Sequence, residues 1–306
     1  MTKRLFRQKH PVFTGLLILG AIMLFFWTGI TFFISSLINP SQAELFKREG
    51  VGIVEVKGVI VEPEEVIANL IAFREDAKVK AIVLRVDSPG GTVGASQEIY
   101  DEVRRTNKVK PVVASLSSVA ASGGLYVSLG AAKIMANPGT LTGSMGVILK
   151  FANLEGLFEK IGYKSEVVKS GRLKDIGSSS RPITDEERQV LQALIDTVYD
   201  QFVAAAATSR SLPEIEVRKI ADGRIFSGAQ AKEYGLVDEL GNFTDAVLLA
   251  ASLAGYKSEG VPLLIYPEED DYSLLRLMTG KNSKSLLNQA TVSGPILAYE
   301  WLGNMR

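Results

Sequence analysis

The stretch Ala120-Ala121-Ser122-Gly123-Gly124 stands between two runs of different character. Before it, Pro111-Val112-Val113-Ala114-Ser115 is apolar and reads as a buried strand; after it, Leu125-Tyr126-Val127-Ser128-Leu129-Gly130-Ala131-Ala132 reads as a helix of small and apolar residues. A serine at that junction lies at or near a helix N-terminus, where unpaired N–H groups and the macrodipole favour negative charge. An oxyanion can develop there. The same pentapeptide also suits a helix packed closely on a sheet, with no chemistry at all. A second glycine pair, in Asp87-Ser88-Pro89-Gly90-Gly91, closes the strand Lys80–Val86. Paired glycines leave backbone amides open to a substrate carbonyl, although Pro-Gly-Gly alone is equally a plain turn. Two such loops, each ending a strand, are what a two-donor oxyanion hole needs.

Composition narrows the chemistry. The 306 residues are 46% hydrophobic, enough for one large domain or two small ones. There is no cysteine, which excludes disulfides, thiolate metal sites and cysteine nucleophiles. The single histidine, His10, lies in the basic N-terminal segment. A Ser-His-Asp triad or a multi-histidine zinc site therefore cannot be built within one chain from the body of the protein. If Ser122 is a nucleophile, its base is a lysine, a carboxylate or a tyrosine. No metal and no cofactor is expected. Basic and acidic residues balance at 34 each, but Lys3, Arg4, Arg7 and Lys9 precede any acid, leaving 30 against 34 in the remainder. Nothing in that balance suggests nucleic-acid binding.

From Val12 to Ile38 the chain carries no charge over 27 residues, and about 20 suffice to span a bilayer. The competing explanation is a cleavable signal peptide with Ser41-Gln42-Ala43 as its site, but such apolar cores run to only about 7–15 residues. The expected division is a basic cytoplasmic segment over 1–11, a transmembrane anchor over 12–38, a linker over 39–48, a catalytic domain over 49–257 and a C-terminal tail over 258–306. The preceding basic residues place the N-terminus in the cytoplasm and the body on the outer side. Within the body, strands are expected at 51–60, 80–86, 111–115, 133–136 and 163–169. Helices are expected at 64–75, 95–105, 125–132, from the capping box Thr184-Asp185-Glu186-Glu187 to Ser209, from Pro213 to Ala221, and at 227–234 and 242–254. Gly171 to Ser180 is polar and reads as irregular, and Pro267-Glu268-Glu269-Asp270-Asp271 as a solvated acidic run. Strand, loop and helix in repeated order argue for α/β architecture.

Several ordered motifs carry a family resemblance. Arg85-Val86-Asp87-Ser88-Pro89-Gly90-Gly91, the Ser122 pentapeptide, Thr142-Gly143-Ser144-Met145-Gly146-Val147 and Lys169-Ser170-Gly171-Arg172-Leu173-Lys174-Asp175 together resemble the short, single-repeat form of signal peptide peptidase A. Asp222-Gly223-Arg224-Ile225-Phe226-Ser227-Gly228-Ala229-Gln230-Ala231, followed by Gly235-Leu236-Val237-Asp238, extends the match, which covers roughly Gly50 to Gly255. The resemblance implies a Clp protease/crotonase fold of repeated ββα units and a membrane-anchored serine endopeptidase with a Ser/Lys dyad. Its substrates would be peptides such as cleaved signal peptides left in the membrane. It places the nucleophile on Ser122, the general base on Lys174, a serine that hydrogen-bonds the lysine on Ser144, and the oxyanion hole on the amides of Gly91 and Gly123. It further implies a homo-oligomeric ring in which neighbouring protomers share active sites.

The residue chemistry is compatible. A lysine acts as a base only when neutral, and bringing one from a reference pKa of about 10.4 to near 8 takes about 3–4 kcal/mol of burial or nearby positive charge. Asp175, next to Lys174, would oppose that if it met the ammonium, so it is expected to face elsewhere. A narrow apolar groove is expected, taking small or aliphatic side chains of an extended peptide by strand addition. Two other classes use the same fold: a crotonase-like acyl-thioester enzyme, and a catalytically inactive membrane scaffold.

Overall fold

The computed structural model describes residues 11–37, 49–256, 260–267 and 297–300. The linker 39–48, the Ser41-Gln42-Ala43 site, His10, the basic segment apart from Pro11 and acidic residues 268–271 lie outside the described residues. The chain divides into two units, Met1–Arg48 and Glu49–Arg306.

In the first unit, helix α1 (Pro11–Leu37) runs for 27 residues without a charge. Its stretch Gly15–Phe33 has mean hydropathy 2.2 and none of it is buried, so it is long and apolar enough to cross a membrane. At 1.5 Å per residue the helix measures roughly 40 Å, against about 30 Å of hydrocarbon. Its two inner threonines turn their hydroxyls back on the helix: Thr28 donates to the Leu24 carbonyl at 2.8 Å and Thr31 to that of Trp27 at 3.0 Å. Neither of these two hydroxyls is thereby offered to lipid without a partner.

The second unit is built on strands β1 (Gly50–Lys57), β2 (Val79–Ser88), β3 (Gly90–Thr92), β4 (Val112–Ala121), β5 (Lys133–Ala136) and β6 (Leu141–Gly143). It continues with β7 (Ile148–Leu149), β8 (Ile225–Ser227), β9 (Glu239–Leu240), β10 (Leu263–Ile265) and β11 (Leu297–Glu300). The main sheet has the order β10-β1-β2-β4-β5-β9, and each of these neighbours is parallel. Beyond Leu116, β4 leaves β5 and pairs in parallel with β6 from Val119 to Ala121, and β8 runs antiparallel to β6. A second, antiparallel sheet has the order β3-β11-β7.

Alternation along the strands sets two cores. Val51, Ile53, Ala81, Val83 and Val113 face helix α9 (Phe243–Leu253), which returns Ala246, Val247, Ala250 and Ala251. Val54, Val56, Ile82, Leu84, Val86, Val112 and Ala114 face the larger core. That core is closed by α2 (Glu64–Glu75), α3 (Val93–Asn107), the short α4 (Gly123–Ser128) and the long α6 (Asp185–Arg210). Smaller helices α5 (Glu155–Lys160), α7 (Glu214–Ile220) and α8 (Gly228–Glu233) complete the second unit. The expected helix at 64–75 has those bounds, and the capping box at Thr184 opens α6, with Thr184 accepting from Glu187 N–H.

Three expectations are corrected. Tyr163–Lys169 is not a strand: no described strand pairs with it, and Val167 and Val168 point to solvent. A stretch without a ladder partner leaves its N–H and C=O groups to water. Strand β4 continues six residues past the apolar run: its register with β2 shifts across Ser117 and Ser118, and Val119–Ala121 then pair with β6. The stretch taken for a tail supplies β10, paired with β1, and β11, whose Tyr299 is fully buried.

Candidate active site

Strand β4 ends at Ala121 and α4 starts at Gly123, so Ser122 alone turns strand into helix. It does so at φ 55, ψ −114, a left-handed conformation that costs a non-glycine residue about 1–3 kcal/mol. The surroundings hold it there from both sides: its N–H donates to the Gly143 carbonyl at 2.8 Å, and its carbonyl accepts from Tyr126 N–H at 2.9 Å. The residue is 1% exposed. Its hydroxyl makes no hydrogen bond with a described residue, yet no fully buried side-chain oxygen or nitrogen among them lacks a partner. The Ser122 oxygen therefore reaches the surface through the little area the residue exposes.

Ser144 repeats the device one strand away. Ala121 of β4 is the register partner of Gly143 of β6, so Ser122 and Ser144 leave adjacent parallel strands at the same level. Ser144 also has positive φ, 50°, and its N–H donates to the Arg224 carbonyl at 2.7 Å. The two glycine loops meet at the same place. A Cβ on Gly123 would come within 2.7 Å of Ser96 Oγ and 3.1 Å of the Gly91 nitrogen, and one on Gly91 would collide with the backbone of Ile60. Only glycine permits this approach. The amides of Gly91 and Gly123 are thus brought together beside Ser122.

Lys174 is not brought there. It lies in a run of turns, its N–H donating to the Gly171 carbonyl at 3.0 Å, and its side chain is exposed. Its ammonium forms no hydrogen bond or ion pair with any described residue, Ser122 included. Asp175 does face elsewhere: it pairs with Arg181 at 3.0 Å and with Lys169. Hydrogen bonds from Arg181 and Lys169 hold its carboxyl down at about 2. Arg181 also binds Glu187 at 2.5 Å, and with the Thr184 N–H it holds that buried carboxyl at about 2. This network anchors the start of α6 to the turn that carries Lys174.

An aromatic pocket adjoins Ser122. Tyr126, one helical turn after the serine, lies 5.0 Å from Phe202 of α6 and 5.0 Å from Tyr100 of α3, ring centre to ring centre. Burial pushes the Tyr126 hydroxyl up to about 12. The pocket is filled by Tyr299, a larger occupant than the small or aliphatic side chains expected of the groove. The position of Tyr126 four residues from Ser122 was visible in the sequence; its meeting with Phe202, 76 residues on, was not. Among the described residues no group of three or more His, Asp or Glu side chains is placed to hold a metal.

Comparison with known proteins gives this geometry a family. The model of "Peptidase family S49" matches residues 104–257, and that of "Clp protease" matches residues 52–142. The chain belongs to peptidase family S49. A putative protease of Synechocystis sp. is 45% identical over 238 residues, which cover 78% of this chain and 85% of that protein. A chloroplastic serine protease, SPPA, of Arabidopsis thaliana is 33% identical, over 82% of this chain and 39% of the relative. A putative signal peptide peptidase SppA of Enterococcus faecium is 40% identical, over 68% and 58%. The chain thus spans well under two thirds of the latter two. As an S49 member it is a serine peptidase of α/β, Clp protease-like fold, acting on peptides, and it carries one apolar helix suited to anchor it in a membrane.

Proposed function

We propose that the chain is a membrane-anchored endopeptidase in which Ser122 is the nucleophile, Lys174 the general base and Ser144 the hydroxyl that orients the lysine. The amides of Gly91 and Gly123 form the oxyanion hole. The observation that carries this reading is Ser122 at φ 55, with Gly123 following it and the Gly91 amide alongside. Ser122 Oγ attacks the peptide carbonyl as its proton passes to the neutral amine of Lys174. The tetrahedral oxygen accepts hydrogen bonds from the two glycine amides. Collapse expels the leaving amine, which takes the proton from Lys174, and water then hydrolyses the acyl-enzyme by the same route.

Lys174 is supplied by a neighbouring protomer in a ring. Its exposure and lack of a partner in the single chain support this, since an interface closing over it would exclude water and favour the neutral amine. Heterologous contacts that close into a ring also let every anchor point the same way. The four basic residues ahead of α1 put the N-terminus in the cytoplasm and the peptidase domain outside. Peptides left in the membrane after signal-peptide cleavage are the substrates that this position presents. The test is peptide hydrolysis by Ser122→Ala, Lys174→Ala and the double variant. Each single change abolishes turnover, and the double is little worse than either, because members of one catalytic unit are non-additive. Near-normal turnover by Lys174→Ala would remove the lysine from the mechanism.

A further inference from the structure

Of the motif Arg85-Val86-Asp87-Ser88-Pro89-Gly90-Gly91, only the Gly91 amide takes part in the proposed chemistry. The polar residues ahead of the glycines lie at an irregularity in the main sheet. Strands β2 and β4 pair in parallel without interruption from Ile82 with Val112 to Val86 with Leu116. The next pair is Ser88 with Ala120, so β2 advances two residues while β4 advances four. Two extra residues of β4 are thus bulged out opposite Asp87. An unbroken register would set Ser118 beside Ser88 and carry Ser122 two residues too far along, roughly 6–7 Å. With the bulge in place, the glycine loop meets the start of α4: a Cβ on Gly90 would lie 2.7 Å from the Gly123 nitrogen, and one on Gly123 would lie 3.1 Å from that of Gly91. The same bulge marks the point where β4 passes from β5 to β6.

Side chains hold the bulge where ladder bonds are lost. The Asp87 carboxylate accepts from Val119 N–H at 3.1 Å, standing in for a strand partner. Its backbone carbonyl is tied to the other side, accepting from Gly58 N–H at 3.0 Å. The buried Thr140 donates its hydroxyl to the Ser117 carbonyl at 2.6 Å. Arg85 donates to the hydroxyls of Ser115 and Ser117 at 2.8 and 2.9 Å, with its guanidinium 5.4 Å from the centre of the Phe243 ring. Ser88, fully buried, accepts from Gly90 N–H at 3.1 Å and so starts the glycine turn. We propose that Asp87 is a positioning residue of the peptidase: its carboxylate closes the β4 bulge at Val119 and thereby fixes the register that brings the amides of Gly91 and Gly123 together beside Ser122. This rests on Ser122 as the nucleophile and on those two amides as its oxyanion hole. Asp87 acts through Val119 rather than on the reacting atoms, and what it supplies is an acceptor, not a charge. Its removal leaves the amide of Val119, a residue 4% exposed, without a partner, which favours another course for the strand end.

The experiment compares Asp87→Ala and Asp87→Asn with wild type in the full-length, detergent-solubilised assembly. It reads kcat and KM for the synthetic peptide acetyl-Leu-Ala-Leu-aminocoumarin, and the Ki of the matching peptide aldehyde, whose addition to the serine forms a tetrahedral oxyanion. Asp87→Ala is expected to lower kcat by about 10²-fold, the cost of a misplacement of about 1 Å, with KM nearly unchanged and the aldehyde Ki raised in proportion. Asp87→Asn keeps an acceptor oxygen at the same reach and retains kcat and Ki. Amide exchange within residues 117–121 is faster in Asp87→Ala than in the other two. Where Asp87→Ala does not assemble, Asp87→Ser takes its place, since its oxygen is one bond too short for the Val119 amide. Wild-type kcat in the variant without an acceptor would overturn the role and leave the nucleophile standing. An equal loss in Asp87→Asn would overturn it too, since charge rather than the accepted hydrogen bond would then be at work, and so would a loss confined to KM. Undiminished hydrolysis by Ser122→Ala would instead sink the nucleophile itself, and the positioning role with it.

Discussion

The serine side of the site and the lysine side are built in opposite ways. Ser122 is buried at the junction of β4 and α4, its backbone tied to Gly143 and Tyr126, with glycines where any side chain would collide. Lys174 stands on a run of turns, exposed, attached to the rest through the Asp175–Arg181–Glu187 network. The first half suits the proposed mechanism, in which a nucleophile and its oxyanion donors must be in register before substrate arrives. The other half is a surface cation that pairs with no described residue, which agrees with the proposal that a neighbouring protomer completes its surroundings. On the proposed reading, folding of a single chain completes the first half and assembly completes the second.

Substitutions in the two halves separate these requirements. The largest effect falls on Ser122→Ala and Lys174→Ala, which both abolish peptide hydrolysis. Lys174→Ala should leave thermal stability of the unassembled protein within about 0.5 kcal/mol, as expected of an exposed position. A large loss of stability there would contradict the contrast. Gly123→Ala, whose Cβ meets Ser96 Oγ and the Gly91 amide, should lower kcat by about 10²–10³, the usual cost of losing an oxyanion donor. Phe202→Ala, in the fully buried pocket wall, should cost about 3–5 kcal/mol in chemical denaturation, with no counterpart on the lysine side.

The lysine side has instead a pH signature. Asp175 and Glu187 are held at about 2 in the fold, against ordinary values of 3.8 and 4.5. A depressed carboxyl contributes stability that is present above its unfolded value and lost as pH falls through its folded one. Pepsin cleavage within residues 171–184 should therefore rise as pH drops from about 4.5 towards 2, whereas cleavage around 112–128 should not. In Arg181→Ala the same segment should be open already at pH 4.5. Cleavage independent of pH in the wild type would remove the network as the anchor of this turn. The smallest effect is expected for Ser144→Ala, a partial loss of kcat measurable at saturating peptide.

These differences also explain what could be read from the sequence. The strand-to-helix junction at Ser122 and the approach of two glycine loops were legible because their information is local, while the roles of Ser122, Gly91 and Gly123 came from the family resemblance. Helix α2 and the capping box of α6 were legible for the same reason. The aromatic pocket and β11 were not, since Tyr126, Phe202 and Tyr299 meet only through packing across nearly the whole domain. The stretch Tyr163–Lys169 misled because its tyrosine and paired valines suit a strand, but no described strand pairs with it. The lysine could be placed only by family resemblance, since a lone surface lysine carries no pattern of its own.

The shared site is tested most directly by mixing. Ser122→Ala and Lys174→Ala proteins, each inactive, are combined under conditions of subunit exchange verified with labelled protomers, and peptide hydrolysis is followed. A site built from the serine of one protomer and the lysine of the next regains activity, approaching a quarter of the wild-type level for random mixing of equal amounts. Two dead variants that stay dead after verified exchange would mean that each protomer carries its own dyad, and the division of the site between chains would be wrong.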